Sequence, residues 1–254
     1  MPYKGGLITD YRTYKLNLRE FIIYGIIYIA VISVISILFY SSFIPVIAIL
    51  LPVGIPYYRF VVLYLKNKRD NRLTMEFKDL LASVSSLLST GYSLENSILE
   101  ARKELYAIHG NCLIVRELDR MSSQLLIHIP PEQIFRDFAL RTDIEDIKTF
   151  AEILSIAKQS GGDLIHIIFT TASSISSKIN IRTEINTAIS GKKYELYIMA
   201  FMPIVIMIYV SLTQPGFFQP MYHNLSGIVI MSLCLCVYIL AVFLAYRIIS
   251  IKDK

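Results

Sequence analysis

The chain has 254 residues, 54% of them hydrophobic, with a mean hydropathy of +0.53 and a formal net charge of +5. That apolar content is high for a soluble domain and it is concentrated: Phe21–Tyr40 and Gly227–Tyr246 are each twenty residues without a charge, enough to cross a hydrocarbon core of about 30 Å. The charge does not describe a nucleic-acid-binding face, because block 66–193 carries 17 basic against 16 acidic residues and the surplus flanks the apolar runs.

Residues 1–20 form a polar tail whose Tyr3, Tyr11 and Tyr14 are expected at a membrane interface. Phe21–Tyr40 is the first predicted span and Phe43–Leu65, apolar except for Arg59, the second. Pro45, Pro52, Gly54 and Pro56 predict an interruption in that second helix, with Tyr57, Tyr58 and Arg59 at its interfacial end. Leu196–Leu212 and Gly227–Tyr246 are the third and fourth spans. The connections at 41–42 and 213–226 hold no Lys or Arg, whereas the tails hold Lys4, Arg12, Lys15, Arg19, Arg247, Lys252 and Lys254. The basic residues then share one side, which places both termini and the central block in the cytoplasm. A basic tail and an apolar run without a small-residue cleavage site read as an uncleaved anchor. Cys112, Cys234 and Cys236 have no paired spacing, and three free thiols are expected.

Within the central block, KNKRDNR at 66–72 is a solvated run, and Leu73–Thr90 is an amphipathic helix with Phe77, Leu80, Leu81, Val84, Leu87 and Leu88 inward. Gly91 ends it and Ser93 caps the next, Leu94–Tyr106. A third helix runs over Leu113–Leu126, and Ile129-Pro130-Pro131 starts a short fourth through Phe135, Phe138 and Leu140. The fifth begins after Asp143, in N-cap position, with Glu145 and Asp146 in its first turn and Lys158 near its last. Gly161 and Gly162 close it, and Asp163 caps a sixth helix with an apolar seam at Ile165, Ile168, Ala172, Ile175 and Ile179. The expected fold is all-α: a polytopic membrane protein with two spans in 21–65, a six-helix cytoplasmic bundle at 66–193, two spans in 194–246 and a tail at 247–254. The last bundle helix has no stop before the third span.

The sequence carries no sign of catalysis or of a cofactor. Its histidines, His109, His128, His166 and His223, are scattered, and HExxH, GxxxxGK[ST] and GxSxG are absent. No Asp, Glu or Lys lies at the centre of a span, which argues against a proton-coupled carrier. The acidic cluster Asp143, Glu145 and Asp146 has two readings. One is capping and helix-dipole complementarity; the other is a docking face for a basic partner, completed by Arg141 and Lys158.

The runs RLTMEFKDLLASVSSLLSTGYSLENSILEA at 72–101, ELDRMSSQLLIHIPPEQIFRDFALRTDIEDIKTFAEILSIAKQSGGDL at 117–164 and MPIVIMIYVSLTQPGFFQPMYHNLSGIVIM at 202–231 resemble the type II secretion system F domain. Within that family they look like the TadB-type inner-membrane protein of tight-adherence (Flp) pilus assembly. The resemblance implies a non-catalytic platform in the bacterial cytoplasmic membrane, coupling a hexameric, TadA-like secretion ATPase to pilin subunits. It also implies a TadC-like paralogous F-domain protein as partner, a homo- or hetero-oligomeric assembly in membrane lipid, and no nucleic acid. Many platform relatives carry two such bundles, and the single bundle here favours the tight-adherence type. A transporter or channel with a helical regulatory domain is the alternative, motivated by the prolines of the second span.

Overall fold

The computed structural model describes residues 11, 16, 18–41, 44–160, 164–214, 216–222 and 224–250. Among these the regular elements are helices: α1 (Leu18–Tyr40), α2 (Ile44–Ser89), α3 (Leu94–His109), α4 (Leu113–Leu126), α5 (Pro131–Thr142), α6 (Glu145–Ser160), α7 (Leu164–Thr213), α8 (Gln219–Tyr222) and α9 (Leu225–Ser250). They divide into two compact units. One comprises Tyr11 and Val62–Arg182, the other Leu16–Val61 and the chain from Thr183 onward.

The first unit has a continuous apolar core drawn from α2 to α7. Leu73, Phe77, Leu80, Ile98, Ala101, Ile114, Leu118, Phe138 and Ile147 have essentially no exposed surface. Three- and four-residue spacings along each helix put these side chains on one stripe, and burying that stripe is what stabilises helices of this length. An aromatic cluster lies within the core: Phe150 meets Phe135 and Phe77 edge-on at 5.1 and 5.8 Å between ring centroids, with Phe138 at 6.4 Å from Phe77. The turns follow local chemistry. Gly91 takes a positive φ of 91° after α2, and the Ser93 hydroxyl accepts the Asn96 N–H to cap α3. Pro130 and Pro131 stand at the N-cap and N1 positions of α5, where a missing N–H leaves no helical bond unmade.

Two local expectations are corrected. Asp143 is the C-cap of α5, in the left-handed conformation with φ 59° and its N–H on Ala139 O; α6 begins at Glu145. Aspartate tolerates that conformation better than most residues, and the two helices are joined too closely for Asp143 to serve as N-cap of α6. Tyr11 does not lie at a membrane interface: it is 3% exposed and belongs to the core of the first unit. The expected closure at Gly161, Gly162 and Asp163 lies outside the described residues.

In the second unit, α1 meets α2 through tyrosines. Tyr28 and Tyr57 stack at 4.6 Å, and the Tyr57 hydroxyl donates to Tyr24 O at 3.2 Å. Phe39, Met231 and Leu235 form a small buried cluster between α1 and α9, with Tyr222 Oη donating to Leu38 O at 2.6 Å. Among the described residues three helices, not the expected four, are long and apolar enough to cross a membrane, lying within Leu18–Tyr40, Ile165–Thr213 and Ser226–Ala245. The segment expected as the second span belongs to α2, a single helix through Pro45, Pro52 and Pro56 where an interruption was predicted. From Gly54 onward its described side chains run past Arg59 into the charged stretch 66–72.

Candidate functional site

The residues singled out for docking cluster around the α5–α6 hairpin, and the structure separates them by burial. Arg141, in the last turn of α5, is 8% exposed. Its Nη2 donates to Glu117 Oε2 on α4 at 2.7 Å and its Nε to Asp137 Oδ2 at 2.9 Å. Glu117 is itself 4% exposed and accepts a second hydrogen bond, from Tyr11 Oη at 3.0 Å. Tyr11 is further held by its own N–H on Arg141 O at 3.0 Å, by a hydrogen bond from Arg69 to its carbonyl, and by the Arg69 guanidinium 5.3 Å from its ring centroid. Burial works against the Arg141 charge, yet its bonds to Glu117 and Asp137 outweigh that and hold its pKa above the ordinary value. Burial, and then the neighbouring Glu117 carboxylate, push the Tyr11 phenol well above its ordinary range.

Asp146 is likewise internal, at 2% exposure. It accepts from Lys178 Nζ at 2.8 Å and lies 3.6 Å from Arg182 Nη1, which ties the first turn of α6 to α7. Glu145 points outward with 77% of its side chain exposed, and Asp143 pairs with Lys148 at 2.5 Å on the surface. Lys158 is exposed and pairs with Glu132 at the other end of the hairpin. Twelve residues of helix separate Lys158 from Asp146, about 18 Å of axial rise, so the two do not form one mixed-charge patch. Arg141 and Asp146 therefore hold helices together, and Glu145, Asp143 and Lys148 form the exposed rim of the same turn.

Two buried carboxylates were absent from the sequence expectation. Glu117 stands between Ile114 and Met121 on the apolar stripe of α4, and a carboxylate at such a position is a legible request for a buried partner. Glu76, 7% exposed on the inner face of α2, accepts the Ile114 N–H at 2.9 Å and so caps α4 from another helix. Cys112 occupies the N-cap position without a side-chain capping hydrogen bond, and burial pushes its thiol up. Tyr11, by contrast, sits in a polar tail with no periodicity, and no sequence signal marks it. Among the described residues no group of three or more His, Cys, Asp or Glu is placed to hold a metal ion.

The core of the first unit and the apolar part of α7 are also what comparison with known families picks out. Residues 80–212, just over half of the chain, match the model for Type II secretion system (T2SS), protein F. The chain belongs to the T2SS protein F family. No curated protein and no solved structure matches it. The T2SS F match begins at Leu80 in α2 and ends at Leu212 in α7, so it contains the Arg141–Glu117 pair, Asp146 with its two cations, and Phe135, Phe138 and Phe150 of the aromatic cluster. T2SS F-family proteins are typically non-catalytic membrane platforms of secretion and pilus assembly that work with secretion ATPases, and the three apolar helices fit an inner-membrane protein.

Proposed function

We propose that this chain is the non-catalytic platform of a Flp-type, tight-adherence pilus machine or a close type II secretion relative. The observation that carries the reading is the T2SS F match across 80–212, which joins a charged helical core to an apolar helix. In this reading the first unit lies in the cytoplasm and receives the motion of a hexameric, TadA-like ATPase. The chain assembles with a TadC-like F-domain partner, and pilin subunits are extracted alongside the apolar helices. The distribution of Lys and Arg supports that orientation. The docking surface is assigned to the exposed rim at Glu145, Asp143 and Lys148, because the buried ion pairs of Arg141 and Asp146 are committed to the fold.

The test is affinity capture of the full chain from native membranes in gentle detergent, with identification of what accompanies it. A secretion ATPase and a second F-domain protein should be recovered. Recovery of the chain alone, under conditions that keep other membrane complexes intact, would overturn the platform reading. Engineered cysteines at exposed bundle positions should react with a membrane-impermeant maleimide only after the inner membrane is opened.

A further inference from the structure

In the first unit α2 and α3 border a groove of about 460 Å³, lined by Asp79 and Ser83 on one side and by Glu104, Leu105, Ile108 and His109 on the other. Its charges are unbalanced. Glu76, Glu100 and Asp119, on these two helices and the next, each pair with an arginine or a lysine. Among the described residues Asp79 and Glu104 have no such partner: Asp79 Oδ2 lies 3.1 Å from His109 Nε2, and Glu104 Oε2 accepts the Ser83 hydroxyl at 2.5 Å. The lysines next to them in sequence are turned elsewhere, Lys78 to Asn180 at 2.7 Å and Lys103 to Glu100 at 2.6 Å. The groove is therefore net negative whether His109 is neutral or protonated. Ser83 is 7% exposed, so its hydroxyl holds one carboxylate in place from within the fold.

A second, apolar observation falls on the same groove. Ile108 lines it with 65% of its surface exposed, although it stands one helical turn beyond Leu105, the buried end of the α3 stripe. Folding alone leaves that aliphatic side chain in water beside two carboxylates that lack a cation. Such a surface is complementary to a helix that carries Lys or Arg next to an aliphatic residue, where charge sets the register and apolar contact excludes water. We propose that the α2–α3 groove docks a basic amphipathic helix of a partner protein, with a Lys or Arg between Asp79 and Glu104 and an aliphatic neighbour over Ile108. The inference does not rest on the platform reading, and the groove is separate from the Glu145 rim on α6.

The experiment places a photo-crosslinking amino acid in the full chain in native membranes, at Ala82, which lines the groove and is exposed, or at Ser123 on α4, which is exposed and outside it. Each adduct is then mapped to the crosslinked peptide. The Ala82 adduct should lie in another protein, in a helical segment with Lys or Arg within about one turn of the crosslinked residue. It should fall at least tenfold when Asp79→Asn and Glu104→Gln are added. Both amides keep the acceptor oxygens that face His109 and Ser83, so the melting midpoint of the first unit should be unchanged. If that variant does not fold, salt decides: raising ionic strength before irradiation should weaken the Ala82 adduct and leave the Ser123 background alone. No adduct at Ala82 above the Ser123 background, or one indifferent to both the amides and salt, would overturn the proposal. So would an adduct in a segment without Lys or Arg, or in a second copy of this chain.

Discussion

Removing Arg141 should damage this protein more than removing its partner, and removing both should damage it less than either single change would suggest. Arg141→Met strands the Glu117 carboxylate, 4% exposed, with the Tyr11 hydroxyl as its remaining side-chain donor. Breaking a buried pair from one side costs about 3–5 kcal/mol, and this case should lie near the upper end. Glu117→Leu leaves Arg141 bonded to Asp137, whose side chain is 44% exposed and which keeps part of the charge compensated, so about 3 kcal/mol is expected. The double variant leaves no stranded charge and loses mainly the tyrosine hydrogen bond, worth about 1 kcal/mol, plus imperfect repacking. The double variant should therefore cost far less than the sum of the single variants, a coupling of about 5 kcal/mol or more between the sites. Hydrogen exchange of α4 and α5 core amides in the full-length protein in detergent reads this directly. Each 1.4 kcal/mol is about tenfold in exchange rate, so Arg141→Met should accelerate exchange by two to three orders of magnitude. Exchange in the double variant as fast as in Arg141→Met would refute the argument.

Phe150→Ala removes the ring between Phe77 and Phe135 and should cost about 3–5 kcal/mol, read as a fall of about 10 °C or more in the melting midpoint of the first unit. Gly91→Ala should cost about 1–2 kcal/mol by the same measurement, since its φ of 91° penalises any Cβ. Glu145→Lys should change stability by less than about 0.5 kcal/mol while lowering recovery of the ATPase; Asp146→Lys should unfold the α6–α7 contact instead, and equal stability of the two variants would contradict the burial argument. The Tyr11 phenol has a folded pKa raised above its ordinary value, chiefly by burial, so it favours the neutral form. Its contribution is complete below about pH 10 and is lost as pH rises further. Stability profiles of the wild type and Tyr11→Phe should therefore converge or cross above pH 10, and parallel profiles would remove Tyr11 from the linkage.

The helices of the first unit were legible because their apolar residues recur at helical spacing and their ends carry Gly91, Ser93, Pro130 and Pro131. What stayed hidden is tertiary. No local rule brings Tyr11 back to α4 and α5 across more than a hundred residues, and none decides whether Asp143 caps the helix it follows or the one it precedes. The prolines of α2 misled in the other direction. A count of helix breakers predicts an interruption, whereas an apolar backbone that leaves its helix has nowhere to place its N–H and C=O groups. Lys158 was already placed in the last turn of the helix that Asp146 begins, whereas only coordinates show Arg141 and Asp146 committed inside.

That division bears on where a partner can bind. The phrases that carried the family resemblance are largely the ones the fold consumes: Leu88 before Gly91, Ile134 and Phe135 in IPPEQIF, and Arg141 ahead of the acidic cluster are all buried. A pattern made of buried residues reports how the helices pack, and it is silent on which surface meets a motor. A phrase such as Arg141 followed by acidic residues, which helped to carry the family resemblance, is therefore weak support for docking. Docking has to rest on side chains that the fold leaves outward, and around this turn those are Glu145 with the Asp143–Lys148 pair. The same logic makes the buried network useful in another way. Tyr11 is tied to α5 by a backbone hydrogen bond and to α4 by its hydroxyl, so a force applied to the α4–α5 region is felt at a point only seven residues before α1 begins. Removing the side-chain part of that tie with Tyr11→Ala, while leaving Glu145 and its neighbours intact, should separate motor binding from transmission: ATPase recovery unchanged, pilus assembly reduced. Loss of both together would mean that Tyr11 serves the fold alone.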